Sequence, residues 1–203
     1  MESEVISSAC VEIPLPDAEL RLWPKAFERD ECAALFGELS ATVDWQQERI
    51  VMFGRRVPVP RLVAWYGDPG ARYAYSGTGH DPLAWTPALR RVRQRVTELT
   101  GVEFNAVLLN RYRDGRDGMG WHADDEPELG LQPVIASVSF GATRRFCLRH
   151  RRRRDQRIDL QLTEGSLLCM SGATQHHWVH AVPKTRRPVG ERINLTFRRV
   201  RLT

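Results

Sequence analysis

Apolar residues in the first half of the chain recur at helical spacing in two places. Cys32, Leu35, Phe36 and Leu39 share one face of a helix predicted over Asp30–Leu39, with Asp30 in position to cap it. Leu89, Val92, Val96 and Leu99 form a second stripe. Thr86-Pro87 opens that helix with a capping hydroxyl and a proline in the first turn, and Gly101 closes it. Both helices read as packing elements. After Gly101 the apolar period shortens from about 3.6 residues to about 2. β-like runs follow at Ala106–Tyr112, Val134–Phe140, Arg145–Arg149, Ile158–Leu162, Ser166–Met170, Trp178–Val182 and Ile193–Val200. Polar segments such as Asp114–Gly118 and Arg151–Arg154 separate them. Many short strands punctuated by turns predict a sandwich or barrel.

The expected class is therefore mainly β, with α/β elements in the N-terminal part. A chain of 203 residues suits one domain with a substantial core. Residues 1–20 are polar, contain Pro14 and Pro16, and read as a flexible lead-in. Residues 21–203 form the domain, with helices and loops over 21–101 and the β core over 102–203. Thirty Lys and Arg against 25 Asp and Glu leave a net charge of +5, which favours anionic partners such as nucleic acid without identifying one. Cys10, Cys32, Cys147 and Cys169 have no close zinc-type spacing. Three of them sit in apolar surroundings, as reduced core thiols of a cytosolic protein do. No signal peptide is recognisable and no apolar run is long enough to span a bilayer. These features lead us to expect a soluble, intracellular protein.

Candidate chemistry begins with Gly120-Trp121-His122-Ala123-Asp124-Asp125-Glu126. On extended chain, alternate side chains point the same way, so His122 and Asp124 can meet one ion. His180, in Trp178-Val179-His180-Ala181-Val182, is a candidate third ligand. Two histidines and a carboxylate form the facial triad of non-haem Fe(II) oxygenases. An HxD tripeptide alone is weak, and His176 and His177 leave other ligand sets open. His176 shares strand parity with His180, so a zinc site built from these histidines is an alternative.

The final strand adds a second constellation. In Arg192-Ile193-Asn194-Leu195-Thr196-Phe197-Arg198, Arg192, Asn194, Thr196 and Arg198 share one face and the apolar residues share the other. An ordinary amphipathic strand with its polar face in water would look the same. Asn110 and Tyr112 also share a face, in Leu108-Leu109-Asn110-Arg111-Tyr112. Two inward arginines with Asn and Tyr donors nearby would suit a dicarboxylate, since each guanidinium binds a carboxylate bidentately.

In order and spacing, Asn110-Arg111-Tyr112, His122-Ala123-Asp124-Asp125-Glu126, Ile135–Ala142, Gly165–Leu168, His180 and Arg192–Arg198 resemble the AlkB family of nucleic-acid dealkylating dioxygenases. The resemblance runs from about Phe53 to Val200 and is strongest to the branch that repairs double-stranded DNA. It implies a double-stranded β-helix (a cupin-like jelly roll) under a nucleotide-recognition lid carried by 21–101. It implies Fe(II) on His122, Asp124 and His180, the catalytic centre. It implies 2-oxoglutarate on Asn110, Tyr112, Arg192, Asn194, Thr196 and Arg198, with O₂ as the oxidant. In the lid, Phe53 and Gly54 match a hairpin whose aromatic finger fills the gap left by a flipped base. Tyr73, Tyr75 and Ser76 match one wall of the base pocket, Tyr75 standing where this branch often has Phe. Glu126 matches a residue on the base edge, with Asp125 supporting it. Arg55, Arg56 and Arg61 flank the finger, where their charge leads us to expect phosphate contact, and His150–Arg154 forms a basic loop.

The implied activity is direct reversal of base alkylation in DNA, of the N1-methyladenine and N3-methylcytosine type. It would be carried out by a monomer without an obligate protein partner or membrane, in the cytoplasm, or in the nucleus of a eukaryote. Two alternatives stand beside it. One is a 2-oxoglutarate oxygenase acting on RNA, protein or a small molecule. The other is a non-catalytic nucleic-acid-binding β-sandwich.

Overall fold

The computed structural model describes residues 9–52, 54–71, 73–75 and 78–202. The elements, in chain order, are β1 (Val11–Leu15), β2 (Ala18–Trp23), α1 (Arg29–Thr42), β3 (Arg49–Met52), β4 (Arg55–Pro58), β5 (Leu62–Gly67), β6 (Tyr73–Tyr75), β7 (Thr78–His80) and α2 (Pro87–Thr100). They continue with β8 (Ala106–Tyr112), β9 (Met119–His122), β10 (Ile135–Gly141), β11 (Arg144–His150), β12 (Arg157–Leu162), β13 (Leu167–Ser171), α3 (Thr174–His177), β14 (Trp178–Val182) and β15 (Arg192–Arg198).

Two antiparallel sheets form the jelly roll. The larger runs β1-β2-β13-β10-β15-β8-β5, and the smaller runs β12-β11-β14-β9. Helices α1 and α2 cover the outer face of the larger sheet. Leu35, Leu39, Leu89, Val92 and Val96 pack there against Val107, Leu109, Val138, Ile193, Leu195 and Phe197. The inner face meets the smaller sheet, where Ile135, Leu168 and Met170 join Phe146, Leu148, Trp178 and Val182 in a second apolar cluster. The larger sheet is thus buried on both faces, and that burial decides the environment of β15. Ile193, Leu195 and Phe197 point to the helices, which leaves Arg192, Asn194, Thr196 and Arg198 between the sheets, all buried. An amphipathic strand with a wetted polar face is excluded.

Helix α2 forms as its sequence predicts. Thr86 Oγ1 accepts from the Leu89 N–H, and Gly101 takes the left-handed conformation at φ 73°. Helix α1 starts earlier than expected. Glu28 occupies the cap position without a side-chain cap bond, and Asp30 lies in the first turn, beside the positive end of the helix dipole.

The lead-in expected over 1–20 needs correction. Residues 11–23 make a hairpin, Val11↔Leu22 through Leu15↔Ala18, and β2 pairs with β13. Period-2 alternation is present in Val11, Ile13, Leu15, Ala18, Leu20 and Leu22. The two prolines are tolerated because Pro14 lies on an edge strand and Pro16 in the turn. Trp178 Nε1 also donates to Pro16 O at 2.9 Å, tying the hairpin to the smaller sheet. The boundary at 101/102 is likewise not a boundary of the sheets, since β1, β2 and β5 extend the larger one. Cys32, Cys147 and Cys169 are buried free thiols and Cys10 is exposed. Among the described residues, no helix is long and apolar enough to cross a membrane.

Candidate active site

β9 and β14 are neighbours in the smaller sheet, and their register sets His122 directly opposite His180. Asp124 follows β9 by two residues. The ligand-type atoms of His122, Asp124 and His180 all lie within 4.8 Å of one another. His180 Nε2 is 3.6 Å from Asp124 Oδ2, and the two imidazole centroids are 4.2 Å apart. His122 Nδ1 lies 2.9 Å from Gly120 O. A carbonyl oxygen only accepts, so Nδ1 carries the proton and the Nε2 lone pair is left for a cation.

Electrostatics favour the metal-binding protonation states of Asp124 and His180. Burial alone would raise the Asp124 carboxyl, but Arg198, His180 and His122 outweigh it and hold it well below the usual carboxylate range. Burial pushes the His180 imidazole down to about 3, with the charge of His122 adding to the shift and Asp124 opposing it. A carboxylate and two neutral imidazoles are the donor set that a facial Fe(II) site requires.

Beside this group lies a narrow cavity between the sheets, lined by Asn110, Tyr112, Ser137, Arg192, Asn194, Thr196 and Arg198 together with the three ligand residues. Arg198 donates through Nη2 to Asp124 Oδ1 at 2.5 Å, so it anchors a candidate metal ligand as well as lining the cavity. Arg192 donates through Nη2 to Ser139 Oγ at 2.9 Å and lies over the Tyr112 ring at 5.3 Å. Its Nε and Nη1 have no hydrogen-bond partner among the described residues. A fully buried guanidinium with two free donors is costly unless an anion completes it, so the cavity fits the two-headed acid expected there. Asn194 and Thr196 line the cavity too, but their polar atoms already serve the sheet. Asn194 Nδ2 donates to Ser137 Oγ and Val138 O, and Thr196 Oγ1 donates to Asn194 Oδ1.

Several expected site residues lie elsewhere. Arg61 is not a surface phosphate contact. It is 3% exposed, and its Nε donates to Asn110 Oδ1 at 2.7 Å, bracing a cavity-lining residue. Asp125 is exposed and paired with Arg151 at 2.6 Å. Glu126 Oε2 is buried with no partner among the described residues. Gly54, at φ 74°, supplies the turn between β3 and β4, and Arg55 and Arg56 are exposed on β4. Tyr73 and Tyr75 lie on β6. Phe53 and Ser76 fall outside the described residues.

The alternative histidine set fails for a local reason. His176 belongs to α3, so it has no strand parity with His180. His177 does gather with His150 and Asp17 in a second group. There, however, His150 Nδ1 accepts the backbone N–H groups of Arg152 and Arg153. The proton of the neutral ring therefore sits on Nε2, which blocks the nitrogen facing Asp17 from binding a cation.

No sequence signal points to Gln175. This residue is 1% exposed, and its Oε1 accepts the backbone N–H of Asp124 at 3.0 Å. Only tertiary contact brings α3 to the end of β9, so no spacing rule points to it. Gln175→Leu is expected to weaken Mn(II) binding, followed by titration without turnover, by about tenfold, the scale of outer-shell losses. An unchanged Mn(II) affinity would mean that the contact does not position Asp124.

Comparison with known proteins agrees with this geometry. Residues 19–198 match the model of the 2OG-Fe(II) oxygenase superfamily. The chain is 45% identical over 184 residues to the DNA oxidative demethylase ALKBH2 of Mus musculus, covering 86% of this chain and 77% of the relative. It is 43% identical over 187 residues to ALKBH2 of Homo sapiens, covering 87% and 72%. Against the alpha-ketoglutarate-dependent dioxygenase alkB homolog 3 of Rattus norvegicus, identity is 41% over 188 residues, covering 88% and 63%. The solved structure of OsALKBH1 superposes with a TM-score of 0.65 at 16% identity, covering 93% of this chain and all of that one, which shows a shared fold. With its His-Asp-His group and arginine-lined cavity, the chain belongs to the 2OG-Fe(II) oxygenase superfamily and, within it, to the AlkB family near the ALKBH2 branch.

Proposed function

We propose that this protein repairs DNA by oxidative dealkylation of bases, of the N1-methyladenine and N3-methylcytosine type. One observation carries the reading. A buried His122–Asp124–His180 group adjoins a buried arginine, Arg192, whose Nε and Nη1 have no hydrogen-bond partner among the described residues. The relatives named as DNA oxidative demethylases support nucleic acid as the substrate. So do the positions that match a base-handling lid, namely Phe53, Gly54, Tyr73, Tyr75, Ser76 and Glu126.

His122, Asp124 and His180 would hold Fe(II), and Arg192 and Arg198, with Asn110 and Tyr112, would hold 2-oxoglutarate. The bound iron supplies the oxidation of a C–H bond by O₂, coupled to decarboxylation of the co-substrate. The protein's own part is to hold the two acids apart on separate cations, to keep the His180 imidazole neutral and to exclude water between the sheets. The balance is one methylated base, one 2-oxoglutarate and one O₂ giving one hydroxymethyl base, one succinate and one CO₂. The hydroxymethyl C–N bond then breaks to release formaldehyde and the restored base. Damaged bases pair weakly, so their extrusion costs less, which gives selectivity before chemistry. The protein would act as a monomer wherever the cell keeps its DNA.

The test is mass spectrometry of methylated single- and double-stranded oligonucleotides incubated with iron, ascorbate and 2-oxoglutarate. Loss of the methyl group with matching succinate and formaldehyde is expected. Succinate with formaldehyde from peptides but not from oligonucleotides would transfer the activity to another substrate class. No succinate at all would leave only a binding protein.

A further inference from the structure

β9 presents two consecutive side chains to opposite faces of the smaller sheet. His122 points inward to the metal centre. Trp121 points outward and is 38% exposed, a large aromatic left in solvent next to a ligand residue. Its ring is not bare. The Arg149 guanidinium lies 4.2 Å from the ring centroid and that of Arg157 lies 6.0 Å away. Arg149 and Arg157 are directly paired across β11 and β12, which places both on this face. A groove of about 400 Å³ opens beside them, lined by Trp121, Arg145, Arg157 and Lys184 over a floor that includes Cys147 and Ala181. Asp159 is the acidic residue facing this cluster, shared at 3.5 Å by Arg145 and Arg157. The cations therefore outnumber the carboxylates, and Arg149 has no acidic partner among the described residues.

We infer that this face is an accessory nucleic-acid subsite, where a base flanking the lesion stacks on Trp121 and the neighbouring arginines hold its phosphates. The inference rests on the proposed nucleic-acid substrate and extends it outside the active site. A flat aromatic wall, a small-residue floor and a cationic rim match a base with its attached phosphate. Base–aromatic stacking also tolerates any sequence, as a repair enzyme requires. Proximity supports it. Adjacent Cα atoms lie about 3.8 Å apart. His122 is also the most exposed of the three ligands, so the cavity opens on the β9 side. A strand leaving the site over β9 passes this platform. Charge complementarity alone would also accept an acidic peptide, but an anionic side chain gains little from the exposed indole face.

The experiment compares wild type, Trp121→Ala, Trp121→Phe and Arg149→Gln with a methylated mononucleotide, which has no flanking base, and a longer methylated single strand. For the longer strand, Trp121→Ala is expected to raise KM about tenfold with kcat unchanged, Trp121→Phe to retain most of the affinity, and the mononucleotide to show no such loss. Arg149→Gln should lower the salt dependence of binding by about one unit of slope. Fluorescence titration with the unmethylated strand reads the same affinity without turnover. If no base is repaired, the proposed function fails while the tenfold affinity difference still tests the platform. Equal affinity of wild type and Trp121→Ala for the longer strand overturns the inference. So does a polyglutamate peptide that competes as well as the oligonucleotide.

Discussion

Asp124→Ala is expected to abolish turnover and also to destabilise the metal-free protein, whereas His122→Ala is expected to abolish turnover alone. The reason lies in what each side chain does without iron. Asp124 and Arg198 are both almost fully enclosed, and the carboxylate accepts the guanidinium directly. Removing one partner of a buried ion pair typically costs about 3–5 kcal/mol, because the other charge stays desolvated. For a domain of this size that corresponds to roughly 6–20 °C in Tm. His122 is half-buried and bonded to the carbonyl of Gly120, which water can replace. Thermal melts of the metal-free variants, set beside iron stoichiometry, separate the two effects. The double variant Asp124→Ala/Arg198→Met should recover most of the lost Tm while remaining inactive. Measurable turnover in Asp124→Ala would remove it from the ligand set.

Part of the centre is legible in the sequence through period 2, while His180 is singled out only by the family resemblance, because spacing leaves His176 and His177 open. His122 and Asp124 sit two apart, and Arg192, Asn194, Thr196 and Arg198 fall on one face, so period 2 alone groups them. The direction of that face was not legible. The same alternation describes a wetted strand, and only the helices packed on Ile193, Leu195 and Phe197 turn it inward. The β1–β2 hairpin was hidden differently. Its alternation is regular, but Pro14 and Pro16 resemble loop punctuation until the strand is known to lie at an edge. Arg61 and Gln175 were out of reach for a third reason. Arg61 reads as one of the cationic residues flanking the finger, and Gln175 carries no signal in the sequence. Each acquires its role from one long-range bond, to Asn110 and to the backbone of Asp124. Local pattern reports which side chains share a face, and it is silent on partners many tens of residues away.

The two buried arginines are therefore not equivalent, although they share a strand face and a residue type. Arg198 is neutralised within the protein by Asp124, so it contributes to the architecture of the metal site before any ligand arrives. Arg192 is enclosed with Ser139 and the Tyr112 ring but without a carboxylate among the described residues. Burial pushes its guanidinium down to about 10, with Tyr112 opposing the shift and Arg144 adding to it. It is still a cation at neutral pH, held where an anion would relieve it.

Arg192→Met is accordingly expected to separate stability from function in the direction opposite to Asp124→Ala. Metionine-sized apolar volume replaces a desolvated charge, and such replacements are often neutral or stabilising. The Tm of the ligand-free variant should match or exceed that of wild type. Co-substrate binding should collapse, since truncating one partner of a buried charge pair costs about 2–5 kcal/mol, or at least roughly 30-fold in affinity. Wild type loaded with Mn(II) and 2-oxoglutarate at about 100 times its Kd should gain about 2.7 kcal/mol, or roughly 5–10 °C. The variant should show little of that gain, and its rate of succinate formation at the same concentration should fall in step. A melt of ligand-free Arg192→Met as depressed as that of Asp124→Ala would mean that the guanidinium is already satisfied by the fold. The cavity would then have no claim on a dicarboxylate. A raised or unchanged melt with the ligand shift abolished is the pattern that a cation reserved for co-substrate must give.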